Sequence, residues 1–251
     1  MALHIHSGDI AANLLASAGC GDPQTVWSDV LHVGALDWRW PDELRHRVRA
    51  HALHDRDNAP WTLDGIEKHL REQDGRVDAA PQHDAVILWM DVCLYDQLIL
   101  CFLLDRLYGL PNLWLVCLGE VPGGPRFHGY GELAPAQMLS LLPLRQPVTA
   151  GQFAAARLAW RNVADPKRSP ERLRALAPQT AALPFLPAAL ERMADELCDA
   201  NGLTRTDRNI LSLRGTVSSR AELFRAAQAL EPAPFMGDAT FFARVDALAG
   251  S

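Results

Sequence analysis

The sequence predicts an α/β fold, a mostly parallel sheet with flanking helices, followed by a helical unit. Three observations carry this expectation. Apolar or alternating runs over residues 3–6, 25–33, 85–90 and 113–118 read as strands. Helical patterns separate them, and no convincing strand pair follows Gly131. Strands alternating with helices imply a parallel sheet, because parallel neighbours need long crossover connections that a tight turn cannot supply.

Residues 3–6 (LHIH) form the first strand and deliver Ser7, Gly8 and Asp9 at its tip. Residues 9–17 place apolar side chains at helical spacing and stop at Gly19 and Gly21. The run 25–33 (TVWSDVLHV) alternates in part and closes on Gly34. Two polar helices are expected over 41–54 and 62–73, with Thr62 as an N-cap and Asn58-Ala59-Pro60 as the break between them. Residues 85–90 (AVILWM) are continuously apolar, as in a strand buried on both faces. A long apolar helix over 95–108 and a further buried strand over 113–118 (LWLVCL) complete the pattern.

The Gly- and Pro-rich stretch 119–131 divides an α/β unit over 1–122 from a helical unit over 132–251. Helices are expected there over 135–142, 149–163, 170–176, 187–201, 206–213, 219–230 and 239–248. Asn201-Gly202 reads as a helix terminus, Thr204 with Asp207 as a capping pair, and Asp238 as an N-cap. The 203–230 region, with Arg205, Arg208, Arg214, Arg220 and Arg225, suits a helix-turn-helix or winged-helix arrangement or simple helix packing.

Composition narrows the function classes. The chain has 251 residues, 49% apolar and 22% charged, which is ordinary for a globular protein. Its most apolar window, 94–107, is broken by Asp96, Gln97, Asp105 and Arg106, short of the roughly 20 apolar residues of a membrane-spanning helix. The start lacks a basic region followed by an apolar core, so a cytoplasmic protein is expected. Five scattered cysteines without a CxxC pair argue against a disulfide framework and a zinc knuckle. Cys93 alone stands beside polar candidates. Through Pro125 the chain carries 9 Lys and Arg against 18 Asp and Glu, and beyond it 15 against 12. The acidic first half is a poor surface for nucleic acid, which needs concentrated positive charge.

In a parallel sheet, ligands gather where strands hand over to helices. Three such points carry polar residues here: Ser7-Gly8-Asp9, Ser28-Asp29 with His32, and Asp91 with Asp96-Gln97. Asp29 sits among apolar residues, where a carboxylate needs a partner, and with His32 it is the acid/base candidate pair. Gly8 and Asp9 are candidates for contact with a ligand or a divalent ion, and Asp96 with Gln97 for orienting the ligand. Simpler readings stand beside these: Gly8 permits a turn, Asp9 caps a helix, and Asp96 answers a helix dipole. His4 and His6 share a strand face and are candidate metal ligands with Asp9, Asp29 or His32, against the alternative of hydrogen-bonded core histidines. Dinucleotide, P-loop, zincin and nucleophile-elbow motifs are absent.

The motifs LHIHSGD, VWSDVLHVGAL and ILWMDVCLYDQLIL resemble the bacterial domain-of-unknown-function family 1835. LPFLPAALERM, NGLTRTDRNIL, ELFRAAQALE and FMGDATF are similar to family 3658, which commonly follows it. The resemblance covers nearly the whole chain and implies that Gly8-Asp9, Asp29, Gly34 and Asp96-Gln97 belong to the family pattern, without implying an activity. This chain departs from that pattern after Trp89. Asp91 keeps the acid, but Val92 and Cys93 stand where His and Asp are usual, and Gly34-Ala35 replaces a common Gly-Pro.

The leading expectation is an enzyme or ligand binder acting on a small polar, phosphate-bearing or nucleotide-like molecule at the strand ends of the first unit. The rival is a non-catalytic regulatory or adaptor protein whose helical unit binds nucleic acid or a protein partner.

Overall fold

The computed structural model describes residues 1–57, 61–120 and 129–249. Five strands form one sheet: β1 (Ala2–His6), β2 (Gln24–Val26), β3 (Ala85–Trp89), β4 (Leu113–Val116) and β5 (Gln146–Pro147). Their order is β2-β1-β3-β4-β5, parallel throughout except for the antiparallel edge strand β5. The α/β class follows from the alternating pattern as expected. Strand β5 lies inside the stretch expected to be purely helical. Two residues ending in proline give no alternation to read.

Register sorts the side chains by face. Leu3, Ile5, Val86, Leu88, Leu113 and Leu115 enter one apolar cluster, and Ile87, Trp89 and Val116 enter the other. Helix α1 (Asp9–Ser17) covers the second face. The polar helices α2 (Asp42–Asp57) and α3 (Leu63–Asp78) pack on each other near β2, with Thr62 Oγ1 capping α3 by accepting from Gly65 N at 3.1 Å. Helix α4 (Leu94–Arg106) is buried nearly all round, because α6 (Ala150–Val163) and α8 (Leu186–Asp195) cover its side away from the sheet. Helices α5 (Pro135–Ser140) and α7 (Pro170–Leu176) complete these layers.

The helical half is not uniformly set apart. Helices α6 to α8 share a continuous core with the sheet, whereas α9 (Arg205–Leu213), α10 (Arg220–Gln228) and α11 (Asp238–Ala249) close on their own cluster of Ile210, Leu223, Ala227 and Phe241. The helix expected over 187–201 ends at Asp195 instead. Beyond it Asp199 Oδ1 accepts from Asn201 N (2.8 Å) and Leu203 N (3.1 Å), a local turn that competes with helix and uses Gly202 at φ +76°. The Thr204–Asp207 capping box is present. The expected break at Asn58-Ala59-Pro60 lies outside the described residues, as does most of the expected boundary stretch, 121–128.

The largest departure concerns residues 25–33. Strand β2 stops at Val26, and the chain then winds around the side chain of Arg49 from α2. Arg49 Nε and Nη2 donate to the two oxygens of Asp29 at 2.9 and 2.7 Å, while Nη2 and Nη1 donate to the Val30 carbonyl (2.9 Å) and the Val33 carbonyl (2.6 Å). Gly34 is required at the close of this loop. Its φ is +81°, and a Cβ there would stand 2.9 Å from the Ala52 Cβ. From α3, Gln73 pairs with both the N–H and the carbonyl of Ser28 at 3.1 Å, and the Trp27 indole donates to Asp74 at 2.7 Å. The polar helices turn polar residues inward to satisfy a backbone that pairs with no strand.

Replacing Arg49 by Met leaves Asp29 buried and unpaired, and we expect a loss of about 3–5 kcal/mol in denaturant unfolding. The double variant Arg49→Met/Asp29→Leu should recover part of that loss.

Candidate functional site

The strand order places a topological switch between β1 and β3: α1 leaves on one face of the sheet and α4 on the other. At the carboxyl ends of these strands the diverging backbones leave room for a ligand. Ser7 follows β1, and Asp91 stands two residues beyond β3. The Ser7 hydroxyl donates to Asp96 Oδ1, which also accepts from Asp91 N at 3.0 Å, and the Cys93 thiol donates to Asp96 Oδ2 at 3.1 Å. Asp91 accepts from Tyr130 N at 3.1 and 3.2 Å, and Tyr95 donates to the Ser7 carbonyl at 3.2 Å.

The two carboxyls therefore differ in role. Burial pushes the pKa of Asp91 well up, the neighbouring Asp96 charge adds to the rise, and the Tyr130 N–H only partly offsets it. Burial also raises Asp96, but the donors from Ser7, Asp91 N and Cys93 oppose it. Three donors favour the ionised form of Asp96, so the proton of the pair resides on Asp91. Cys93 stays a thiol, since burial and both carboxyls push its pKa up.

Beside this pair lies a cleft of about 350 Å³, lined by Asp9, Ser28, Tyr95, Leu53, Trp61 and His69 among others. Trp61 is 56% exposed and meets His69 edge to face at 6.0 Å. Tyr95 links the cleft to Ser7 and thus to the carboxyl pair. Among the described residues no lysine or arginine lines it.

The structure brings together only part of the expected site. Asp9 opens α1 on the exposed rim, and Gly8 precedes it in extended conformation with open space where a Cβ would stand. The turn reading therefore does not explain Gly8. Asp29, the expected acid/base partner of His32, is among the residues that line this cleft, but it is 2% exposed and both of its oxygens accept from Arg49, an arrangement that anchors the loop. His32 is carried away from the Asp9 cleft. Its ring meets Phe235 at 5.2 Å and Tyr95 at 6.5 Å, both edge to face, under the connection into α11. Gln97 is also buried: its amide donates to the Asp91 carbonyl at 2.8 Å and to Cys117 Sγ at 3.4 Å, so it orders the turn rather than a ligand. Asp96 acts on Ser7 and Asp91 from beneath the rim.

Tyr95, Trp61 and His69 are not singled out by their sequence setting, and Ser7 and Asp91 are placed at strand ends without a role. The pattern shows a carboxylate beyond β3, but not that it meets a second one. Trp61 belongs to an expected helix boundary, and nothing local marks it as a cleft wall.

The expected metal set of His4, His6 and Asp9 is corrected as well. The two imidazoles share a face, stacked at 6.5 Å, yet Asp9 lies past the carboxyl end of β1 while His4 faces the other end of the strands. There His4 Nε2 lies 3.8 Å from both Cys20 Sγ and Asp22 Oδ2. These three residues could surround a cation by distance. However, the Trp89 indole donates to His4 Nδ1 at 2.9 Å, so the neutral ring carries its proton on Nε2, the atom that would have to bind metal. Both histidines belong to the core. His6 pairs through Nε2 with Gln24 at 3.0 Å, and burial with the nearby His4 lowers its pKa to about 3.

No family model and no curated protein matches this chain.

Two pH dependences follow. The folded pKa of His6 lies below the unfolded value of 6.5, so its contribution is full above pH 6.5 and lost as pH falls towards 3, by at most about 1.4 kcal/mol per pH unit. Denaturant titrations of His6→Phe should show a flatter acid limb than wild type. Asp91 has the opposite sign: its folded pKa is raised, so stability declines as pH rises through that value. Asp91→Asn should melt higher than wild type above neutrality, with the difference vanishing near pH 4.

Proposed function

We propose that the protein binds a small polar molecule at the carboxyl ends of β1 and β3 and transfers a proton to or from it. The observation that carries this reading is the carboxyl pair Asp91–Asp96 at the switch point, where Asp96 accepts from the Ser7 hydroxyl and from Asp91 N while burial and the Asp96 charge raise the proton affinity of Asp91. Groups whose surroundings push their proton affinities apart serve as acid and base in one site. Asp91 is the acid, and Ser7, held by a carboxylate, is the hydroxyl best oriented to meet the ligand.

The adjoining cleft supports a nucleoside-like shape. The exposed indole of Trp61, met edge to face by His69, offers an aromatic face for a ring, while Asp9 and Ser28 offer polar contacts to hydroxyls. Among the described residues this wall carries carboxylates and hydroxyls but no basic group, which disfavours a phosphate there. Membership of families 1835 and 3658, and a cytoplasmic setting, remain parts of the same proposal. They rest on the motifs around Gly8-Asp9 and Asp96 and on five unpaired cysteines. Among the described residues no helix is long and apolar enough to cross a membrane.

The adaptor reading draws less support from the surface it would use. Arg205 pairs with Asp195 (3.2 Å), Arg208 with Asp199 (2.7 Å) and Arg220 with Asp246 (2.9 Å), which cancels much of the charge a nucleic acid would meet.

Titration with adenosine and with adenosine monophosphate, followed by tryptophan fluorescence, tests the proposal. Saturable quenching by the nucleoside, weakened about tenfold or more in Trp61→Leu and in Gly8→Val, is the expected result. Asp91→Asn should keep that binding. Unchanged fluorescence with both probes, or quenching indifferent to both substitutions, counts against it.

A further inference from the structure

A second cleft, of about 490 Å³, lies where the loop after β2 meets the α8–α9 connection and α11. His32, Gly34, Arg168, Thr204, Thr240 and Arg244 are among its lining residues. Its charged groups are unequally satisfied. Arg244 Nη2 donates to Asp207 Oδ2 at 2.7 Å, and its Nε donates to the other oxygen. Glu196 accepts from Arg192 (2.6 Å) and from the Thr206 N–H and hydroxyl (3.1 and 2.8 Å).

Arg168 is different. Its guanidinium has one hydrogen bond, from Nη2 to the Gly34 carbonyl at 3.2 Å, while Nε is buried without a partner. Among the described residues no carboxylate pairs with it. Asp165, the acidic group that acts on it from a distance, is engaged by Arg172 at 3.1 Å and by the Lys167 N–H at 2.9 Å. Behind it stands Arg49, whose charge, after burial, disfavours the protonated form of Arg168. Two guanidinium groups thus converge on Gly34, and of the two Arg49 is the one paired with Asp29. An arginine held half-buried against a second arginine, with donors to spare and a cavity in front of it, is arranged for an anion.

We propose that this cleft is an oxyanion site in which Arg168 grips the carboxylate or phosphate group of a small organic anion. The wall carries the Thr204 and Thr240 hydroxyls as further donors, and Leu197, Met236 and Ala243 to face the carbon skeleton. The site is independent of the carboxyl pair and cleft at the sheet rim. It uses the opposite charge, so one molecule does not suit both.

Selective labelling of arginine with nitrogen-15 gives a direct readout, since the Nε–H of Arg168 should move when an anion arrives. The full chain is titrated with inorganic phosphate and, separately, with acetate in a buffer free of other oxyanions. A saturable shift of the Arg168 resonance with either probe supports the site, and the probe that binds more tightly identifies the group. Arg168→Gln should weaken calorimetric binding of that probe about tenfold or more. The melting temperature of this variant should be unchanged or raised, because repulsion from Arg49 is relieved. Arg172→Gln should bind as wild type does. No shift with either probe, or binding that survives Arg168→Gln, overturns the proposal.

Discussion

The buried Arg49–Asp29 pair is the interaction on which the functional surfaces of this molecule depend. A bidentate pair out of water costs much desolvation, and here the cost is offset by two parallel bonds to Asp29 and further bonds to the carbonyls of Val30 and Val33. The guanidinium does what a strand partner would otherwise do for the loop after β2. That loop supplies a wall to the rim cleft through Ser28 and Val30, and a wall to the second cleft through His32, Val33 and Gly34. Both cavities are therefore shaped by one cation placed by α2.

Opposite charge separates the two cavities. Among the described residues the rim carries Asp9 and the Asp91–Asp96 pair and no basic lining, whereas the second cleft has an arginine that no carboxylate pairs with. This division within a few loops gives more information than the net charge of either half of the chain. Formal counting registers Asp29 and Asp91 as equal, yet one neutralises an arginine and the other has its proton affinity raised by burial and by Asp96.

Much of the fold is legible in the sequence. The β1, β3 and β4 runs have the apolar patterns of buried parallel strands, α1 and α7 fall on the residues their periodicity marks, and Thr204 with Asp207 caps α9. The failures share a cause. In 27–33, alternating Trp27, Asp29 and Leu31 mimic a strand, because burial of every second residue looks alike whether the backbone pairs with a strand or with Arg49 and Gln73. Beyond Asp195 the apolar spacing continues while Asp199 diverts the backbone into a turn.

The rim site is legible in location but not in roles. Ser7, Gly8, Asp9 and Asp96 could be placed at strand ends by pattern, yet which carboxylate is free and which is committed depends on partners some 20 to 89 positions away. Carbon-13 resonances of the aspartate side-chain carboxyls, followed against pH, test the account most directly. Asp91 should keep the protonated carboxyl shift well above the ordinary carboxylate range and lose it only after Asp96 has ionised. An Asp91 signal already that of a carboxylate above about pH 5, near the ordinary range, would contradict it.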